Sequence, residues 1–241
     1  MTGRIGQSFH VLITRPEPAA SRTAQRLRDL GFETSVAPLT ELLPLAPRIA
    51  LSERCRVIAT SANAFMADPP DGFPADLIHD FICVGEQTAR ASVAWGLPQP
   101  SIVAPDAETL IARASEAGID LKRWPVVYFA GRYRSLTLEE ELSRMAAVYE
   151  VYETYEARAV PDPFQAVDLG TIHAVLLMSP RAAEQFSAAL DEGEQMKSVC
   201  ISDAARDRLS ERLRRLAVVA AEPSFDSMLR CLMAFSEPSG Q

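Results

Sequence analysis

The sequence predicts an α/β protein built as two similar lobes, each around a parallel sheet. Three observations predict it. Short apolar runs alternate with amphipathic segments along the chain, ordered echoes recur at a spacing of about 117 residues, and two half-polar strands interrupt the alternation.

The echoes are specific. Val57-Ile58-Ala59-Thr60-Ser61-Ala62 returns as Val175-Leu176-Leu177-Met178-Ser179-Pro180, and Ile82-Cys83-Val84-Gly85-Glu86 returns as Val199-Cys200-Ile201-Ser202-Asp203. Val103-Ala104-Pro105 returns as Ala221-Glu222-Pro223, and Val11–Arg15 returns as Val127–Arg132. Similarities in one order at one offset mean duplication. Duplicated α/β lobes are expected to leave a cleft, where ligands collect.

Taken along the chain, Val11–Thr14 is the first strand, an apolar run of the kind buried on both faces. A helix over Ala19–Leu30 follows, with Ala20, Thr23, Ala24, Leu27 and Leu30 at helical spacing and Gly31 as its left-handed stop. Glu33–Leu39 alternates polar with apolar residues and reads as a half-exposed strand. Val57–Thr60, Phe81–Val84, Ile102–Ala104 and Val126–Phe129 are further buried strands. Thr137-Leu138-Glu139-Glu140 reads as a capping box opening a helix to about Ala147, with Glu139, Glu140 and Glu141 as its solvated first turn. Val148–Ala157 repeats the half-polar alternation, and it and Glu33–Leu39 are candidates for strands that run between the lobes. Ala174–Met178, Val199–Ile201 and Val218–Ala220 complete the buried strands, and the tail from Ser236 is expected to fray.

Composition narrows the function. A formal net charge of −8 argues against nucleic acid or an anionic membrane as partner, though a local arginine cluster can still hold a small anion. The 48% hydrophobic content supports real cores, and no apolar run is long enough to span a bilayer. The opening Met1–Gln7 lacks the apolar core of a signal peptide, so a cytoplasmic location is expected. Cys55, Cys83, Cys200 and Cys231 form no paired motif and read as buried hydrophobes. His10, His79 and His173 lack metal spacing, so no metal is expected.

In parallel sheets, ligands gather beyond the carboxyl ends of the strands, where helix starts offer free N–H groups to anions. Those places are Thr14-Arg15-Pro16, Thr60-Ser61, Gly85-Glu86, Gly131-Arg132, Ser179-Pro180 and Ser202-Asp203. Ser61 and Ser179 also suit helix caps, and the two roles are compatible. Dinucleotide, phosphate-loop and serine-hydrolase signatures are all missing. An enzyme of this chain would act through positioning, backbone donors and a phenol from Tyr149, Tyr152 or Tyr155. On a regular strand Tyr152 and Tyr155 face opposite ways unless the strand bulges.

Taken together, Val11–Glu17, Leu27–Gly31, Ala37-Pro38-Leu39, Thr60–Ala64, Val84–Ala89 and Ser179–Ala183 resemble the uroporphyrinogen-III synthase family over nearly the whole chain. The resemblance implies two flavodoxin-like lobes with parallel sheets, joined by two antiparallel linker strands at 33–40 and 148–158. One lobe would comprise 1–35 plus 160–241, the other 40–150. It also implies a cofactor-free, cyclising hydro-lyase of tetrapyrrole biosynthesis. Such an enzyme converts hydroxymethylbilane, a carboxylate-rich linear tetrapyrrole, into uroporphyrinogen III and water with inversion of the terminal ring. Open bilane closes unaided without inversion, so the catalyst must control which carbon attacks the azafulvene.

The implied proton donor falls on Tyr155, with Tyr152 as second choice. Substrate carboxylates would meet Arg15, Thr60, Ser61, Gly85, Gly131, Arg132 or Arg134, and Ser179. Asp203 departs from the family pattern and sets a negative charge where an anion would sit. A monomer is expected. The competing reading is a two-lobed binding or regulatory module of the same fold without cyclase activity.

Overall fold

The computed structural model describes residues 9–190 and 196–236. The opening Met1–Gln7 and the tail beyond Ser236 lie outside the described residues. The chain begins with β1 (His10–Ile13), α1 (Ala19–Asp29), β2 (Glu33–Val36) and β3 (Thr40–Pro44). It continues through β4 (Cys55–Ala59), β5 (Ile78–Val84), α2 (Glu86–Trp95), β6 (Ile102–Ala104) and α3 (Ala107–Glu116). Next come β7 (Val126–Gly131), α4 (Thr137–Arg144), β8 (Tyr149–Ala159), β9 (Ala174–Leu177) and α5 (Pro180–Ala189). The last elements are β10 (Lys197–Cys200), α6 (Asp203–Arg206), α7 (Glu211–Arg214), β11 (Ala217–Val219) and α8 (Phe225–Ser236).

Two compact units result, Met1–Glu41 with Arg158–Gln241, and Leu42–Ala157. The first holds a parallel sheet of order β11-β10-β9-β1-β2. The other sheet has the order β3-β8-β7-β4-β5-β6, with parallel pairing from β8 to β6. Leu45 N donates to Thr154 O and Val160 N to Leu39 O, so numbers rise on β3 as they fall on β8, an antiparallel ladder.

Strand alternation feeds two cores per sheet. Leu12, Val175, Leu177 and Cys200 enter one core of the first unit, and Val11, Ile13, Leu176 and Val199 enter the other. In the second unit Ile58, Ile82 and Tyr128 face one way, and Val57, Phe81 and Phe129 the other. Burial pushes the Cys83 thiol up to about 11 and the Cys200 thiol up to about 12, which leaves both protonated and unreactive.

Three expectations need correction. The segment 33–40 is not one interlobe strand: Glu33–Val36 pairs along β1, and Thr40–Pro44 is the strand beside β8. Ala37 N still donates to Ile13 O and Leu39 N to Thr14 O, so the backbone stays bonded to the end of β1 on both sides of Pro38, whose missing N–H falls on the open edge of the sheet, before Thr40 begins the strand beside β8. The second unit also extends past 150, because β8 stays paired with β7 as far as Tyr155. Third, β11 is only half-buried, because an edge strand lacks a neighbour on one side.

Ser179 caps α5, accepting a hydrogen bond from Ala182 N at 3.1 Å with Pro180 in the first turn. Ser179→Ala should cost about 1 kcal/mol of stability, read as a drop of a few degrees in melting temperature.

Candidate active site

The carboxyl ends of β4 and β7 set the centre of the site in the second unit. Thr60 follows β4, and its Oγ1 lies 2.8 Å from the Tyr128 hydroxyl of β7. Tyr128 is buried, with an exposure of 2%, and burial raises its pKa. Arg134 opposes that rise, and the negative forms of Tyr155 and Glu139 add to it, so these groups lie within electrostatic reach of one another. Thr60, Tyr128, Arg134, Ser135, Asp106 and Glu108 are among the residues lining a cavity of about 430 Å³.

Tyr155 is placed by a slip in register. Ala130 pairs with Glu153 but Gly131 pairs with Tyr155, so Thr154 is the extra residue on β8. The Tyr155 phenol lies against Gly131, where a Cβ would stand 2.6 Å from Cζ and 2.8 Å from the hydroxyl oxygen. Only glycine admits the ring there. Tyr152 differs: it is 6% exposed, its ring packs edge-on to Phe129, and its hydroxyl donates to Glu150 while accepting from Ala50 N.

Arg132 and Arg134 share Glu153, whose second oxygen lies 3.4 Å from Arg134 Nη1, while Arg15 shares no partner with them. Arg132 Nε donates to Glu153 at 3.0 Å, and its Nη1 donates to Glu156. Arg134 donates to Glu139 through Nε at 2.9 Å and Nη2 at 2.6 Å, and its Nη1 reaches the carbonyls of Gly131 and Arg132. It therefore braces the turn that follows Gly131 at the end of β7. Arg15, in the first unit, donates to Thr23 Oγ1 at 3.3 Å and has no acidic partner among the described residues. Burial and neighbouring Arg22 lower its pKa, yet guanidinium stays protonated in proteins. Arg15 is a cation in want of an anion.

The remaining strand-end residues have local roles as well. Ser61 accepts from Asn63 N at 3.2 Å in a short 3-10 turn. Gly85 starts α2 with φ +82°, and its N–H donates to Ala104 O. Ser202 caps α6. The structure thus gathers Thr60, Gly131, Arg132, Arg134 and Tyr155 near the carboxyl end of β7 and its neighbours. Ser61 and Gly85 follow adjacent β4 and β5, while Arg15 and Ser179 follow the paired strands β1 and β9 of the other unit.

Two site residues escaped sequence reasoning. Glu139, read as part of a solvated turn, is buried against Arg134. The expected capping box is absent too: α4 is preceded by Leu136, which makes no side-chain cap, and Ser135 Oγ accepts from Thr137 N instead. Helix entry one residue earlier moves Glu140 out of capping reach and turns Glu139 inward. Tyr128 was the other omission. Its signal was a hydroxyl within an apolar strand buried on both faces, which requires a partner. Glu139→Gln keeps the shape but removes the charge facing Arg134, and should cost about 1–3 kcal/mol, measured by denaturant melts.

The uroporphyrinogen-III synthase HemD family model (HEM4) matches residues 21–230. The chain belongs to the uroporphyrinogen-III synthase family. By sequence, no curated protein matches this family member. Its fold is similar to that of uroporphyrinogen-III synthetase from Helicobacter pylori 26695, at 13% identity and a TM-score of 0.63, covering 94% of this chain and 99% of that one. It is also similar to a mutant uroporphyrinogen III synthase from the extremely thermophilic bacterium Thermus thermophilus, at 16% identity and a TM-score of 0.54, covering 94% and 98%. The synthase family is an enzyme family, and among the described residues no helix is long and apolar enough to cross a membrane.

Proposed function

We propose that this chain is a cyclising hydro-lyase that converts hydroxymethylbilane to uroporphyrinogen III without a cofactor. The family match supports the reaction. The observation that carries the mechanism is the Tyr155 phenol set against Gly131, within electrostatic reach of Tyr128 and its Thr60 partner. In this reading Tyr155 protonates the departing hydroxyl, and the rest of the site orients the ring carbons so that inversion outruns unaided closure.

Arg15 is the first-choice carboxylate anchor, because it gives up no ion pair on binding. Arg132 and Arg134 must compete with their own glutamates, so they contribute less net affinity. Thr60, Ser61, Gly131 and Ser179 are proposed to contact substrate oxygens through hydroxyl or backbone donors, and Gly85, whose N–H is held by Ala104 O, to let substrate approach the start of α2 by carrying no side chain. We place the protein in the cytoplasm as a monomer; its free cysteines, three of them buried, suit a reducing compartment.

The test is a coupled assay in which hydroxymethylbilane is generated in place and the oxidised products are separated by isomer. A dominant type III product is expected. Only type I product from folded protein, beside a working control, would overturn the synthase reading and favour a binding module of the same fold.

A further inference from the structure

The Thr60–Tyr128 pair carries a further role. Two facing hydroxyls hold two hydrogens, and their mutual bond of 2.8 Å uses one. A phenol is the stronger donor and an alkyl hydroxyl the stronger acceptor, so Tyr128 donates and Thr60 accepts. Tyr128 is buried while Thr60 is half-exposed, and among the described residues neither hydroxyl makes another hydrogen bond. The Thr60 hydrogen is left to donate, and both residues line the same cavity.

What that hydrogen would meet follows from the surrounding charges. Asp106 and Glu108 also line the cavity, and hydrogen bonding from Thr109 holds the Asp106 carboxyl below its usual range. Arg134 is already paired with Glu139. Arg113 lies within electrostatic reach of Asp106, but Glu108 has no cationic partner among the described residues, so an incoming carboxylate would still meet negative charge. A neutral oxygen, with positive charge developing beside it, would be favoured.

We propose that Thr60 donates a hydrogen bond to the hydroxymethyl oxygen of the bilane, and that Tyr128 is the positioning residue that fixes the Thr60 hydroxyl. This rests on the synthase reading. In the step concerned the C–O bond breaks and its electron pair leaves with oxygen, which takes the Tyr155 proton and departs as water. The pyrrole nitrogen lone pair forms a C=N bond within the ring as the ring π electrons shift to form the C=C bond to the exocyclic carbon, and the N–H proton then returns to the Tyr155 phenolate. Thr60 loses no proton; its bond steadies the oxygen as charge moves.

The experiment compares Tyr128→Phe, Thr60→Val, their double variant and Thr60→Ser by steady-state kinetics of type III formation. Each of the first two should lower kcat by about 5- to 10-fold with KM within about two-fold. The double variant should be no worse than the worse single one, and Thr60→Ser should fall within about two-fold of the parent. A parental kcat in Tyr128→Phe, a loss confined to KM, or additive losses would each overturn the proposal. Should Tyr128→Phe fail to fold, a parental kcat in Thr60→Val overturns it alone. A parent that makes only type I product overturns the synthase reading and this step with it. A parent that makes type III, with unaffected variants, overturns this step alone.

Discussion

Replacing Tyr155 with phenylalanine should slow type III formation by about 100-fold or more, the usual range for losing a positioned proton donor. The fold should persist, because the ring that rests on Gly131 remains and only its oxygen is lost. Initial rates with separated isomers, set beside a thermal melt, check both halves of the expectation. Tyr152→Phe is the informative companion. Its hydroxyl is committed to Glu150 and Ala50 N, so turnover should barely change. An unchanged rate in Tyr155→Phe would remove that residue from the mechanism, and a large loss in Tyr152→Phe would transfer the role.

Gly131→Ala should be nearly as damaging, although it adds one methyl group. The new Cβ would stand 2.6 Å from Cζ, 2.8 Å from the hydroxyl oxygen and 2.9 Å from Cε2 of Tyr155. Gly131 is not among the glycines held at positive φ, so the backbone accepts alanine and the ring must move instead. A shift of about 1 Å in a reacting group costs about 100-fold in rate. Overpacking costs about 1–3 kcal/mol of stability, partly offset by the lower entropy of the unfolded alanine chain. In a Tyr155→Ala background the added methyl should cost almost nothing, since the clash is gone. A parental rate in Gly131→Ala would show that the placement of the ring does not govern turnover.

Legibility in the sequence followed the range of the interaction involved. The strands other than Thr40–Pro44 were readable because apolar periodicity is local, and Gly31 was readable because its left-handed backbone, at φ +91°, is a local demand of the helix end. Ser179 as a cap was equally readable, since its partner is Ala182. The residues from Glu33 to Pro44 were visible, but the change of partner after Leu39 was not. Whether Thr40–Pro44 continues one strand or joins another depends on which neighbour is free to pair with it. Glu139 was misread because the Arg134 side chain that buries it comes from a loop whose path no periodicity reports.

By itself the sequence determined the duplicated α/β architecture, the strand ends where Thr60, Gly131 and Ser179 lie, and the choice narrowed to tyrosines on one strand. Backbone preference and side-chain periodicity act between near neighbours and are written in order along the chain. Only the tertiary structure decided that Tyr155 rather than Tyr152 meets Gly131, because a slip of one residue in pairing β8 with β7 sets that contact. It alone joined Tyr128 to Thr60, 68 residues apart, and set Arg134 against Glu139 while Arg15 kept no acidic partner among the described residues. Those contacts depend on where side chains end in space, which no spacing along the chain specifies.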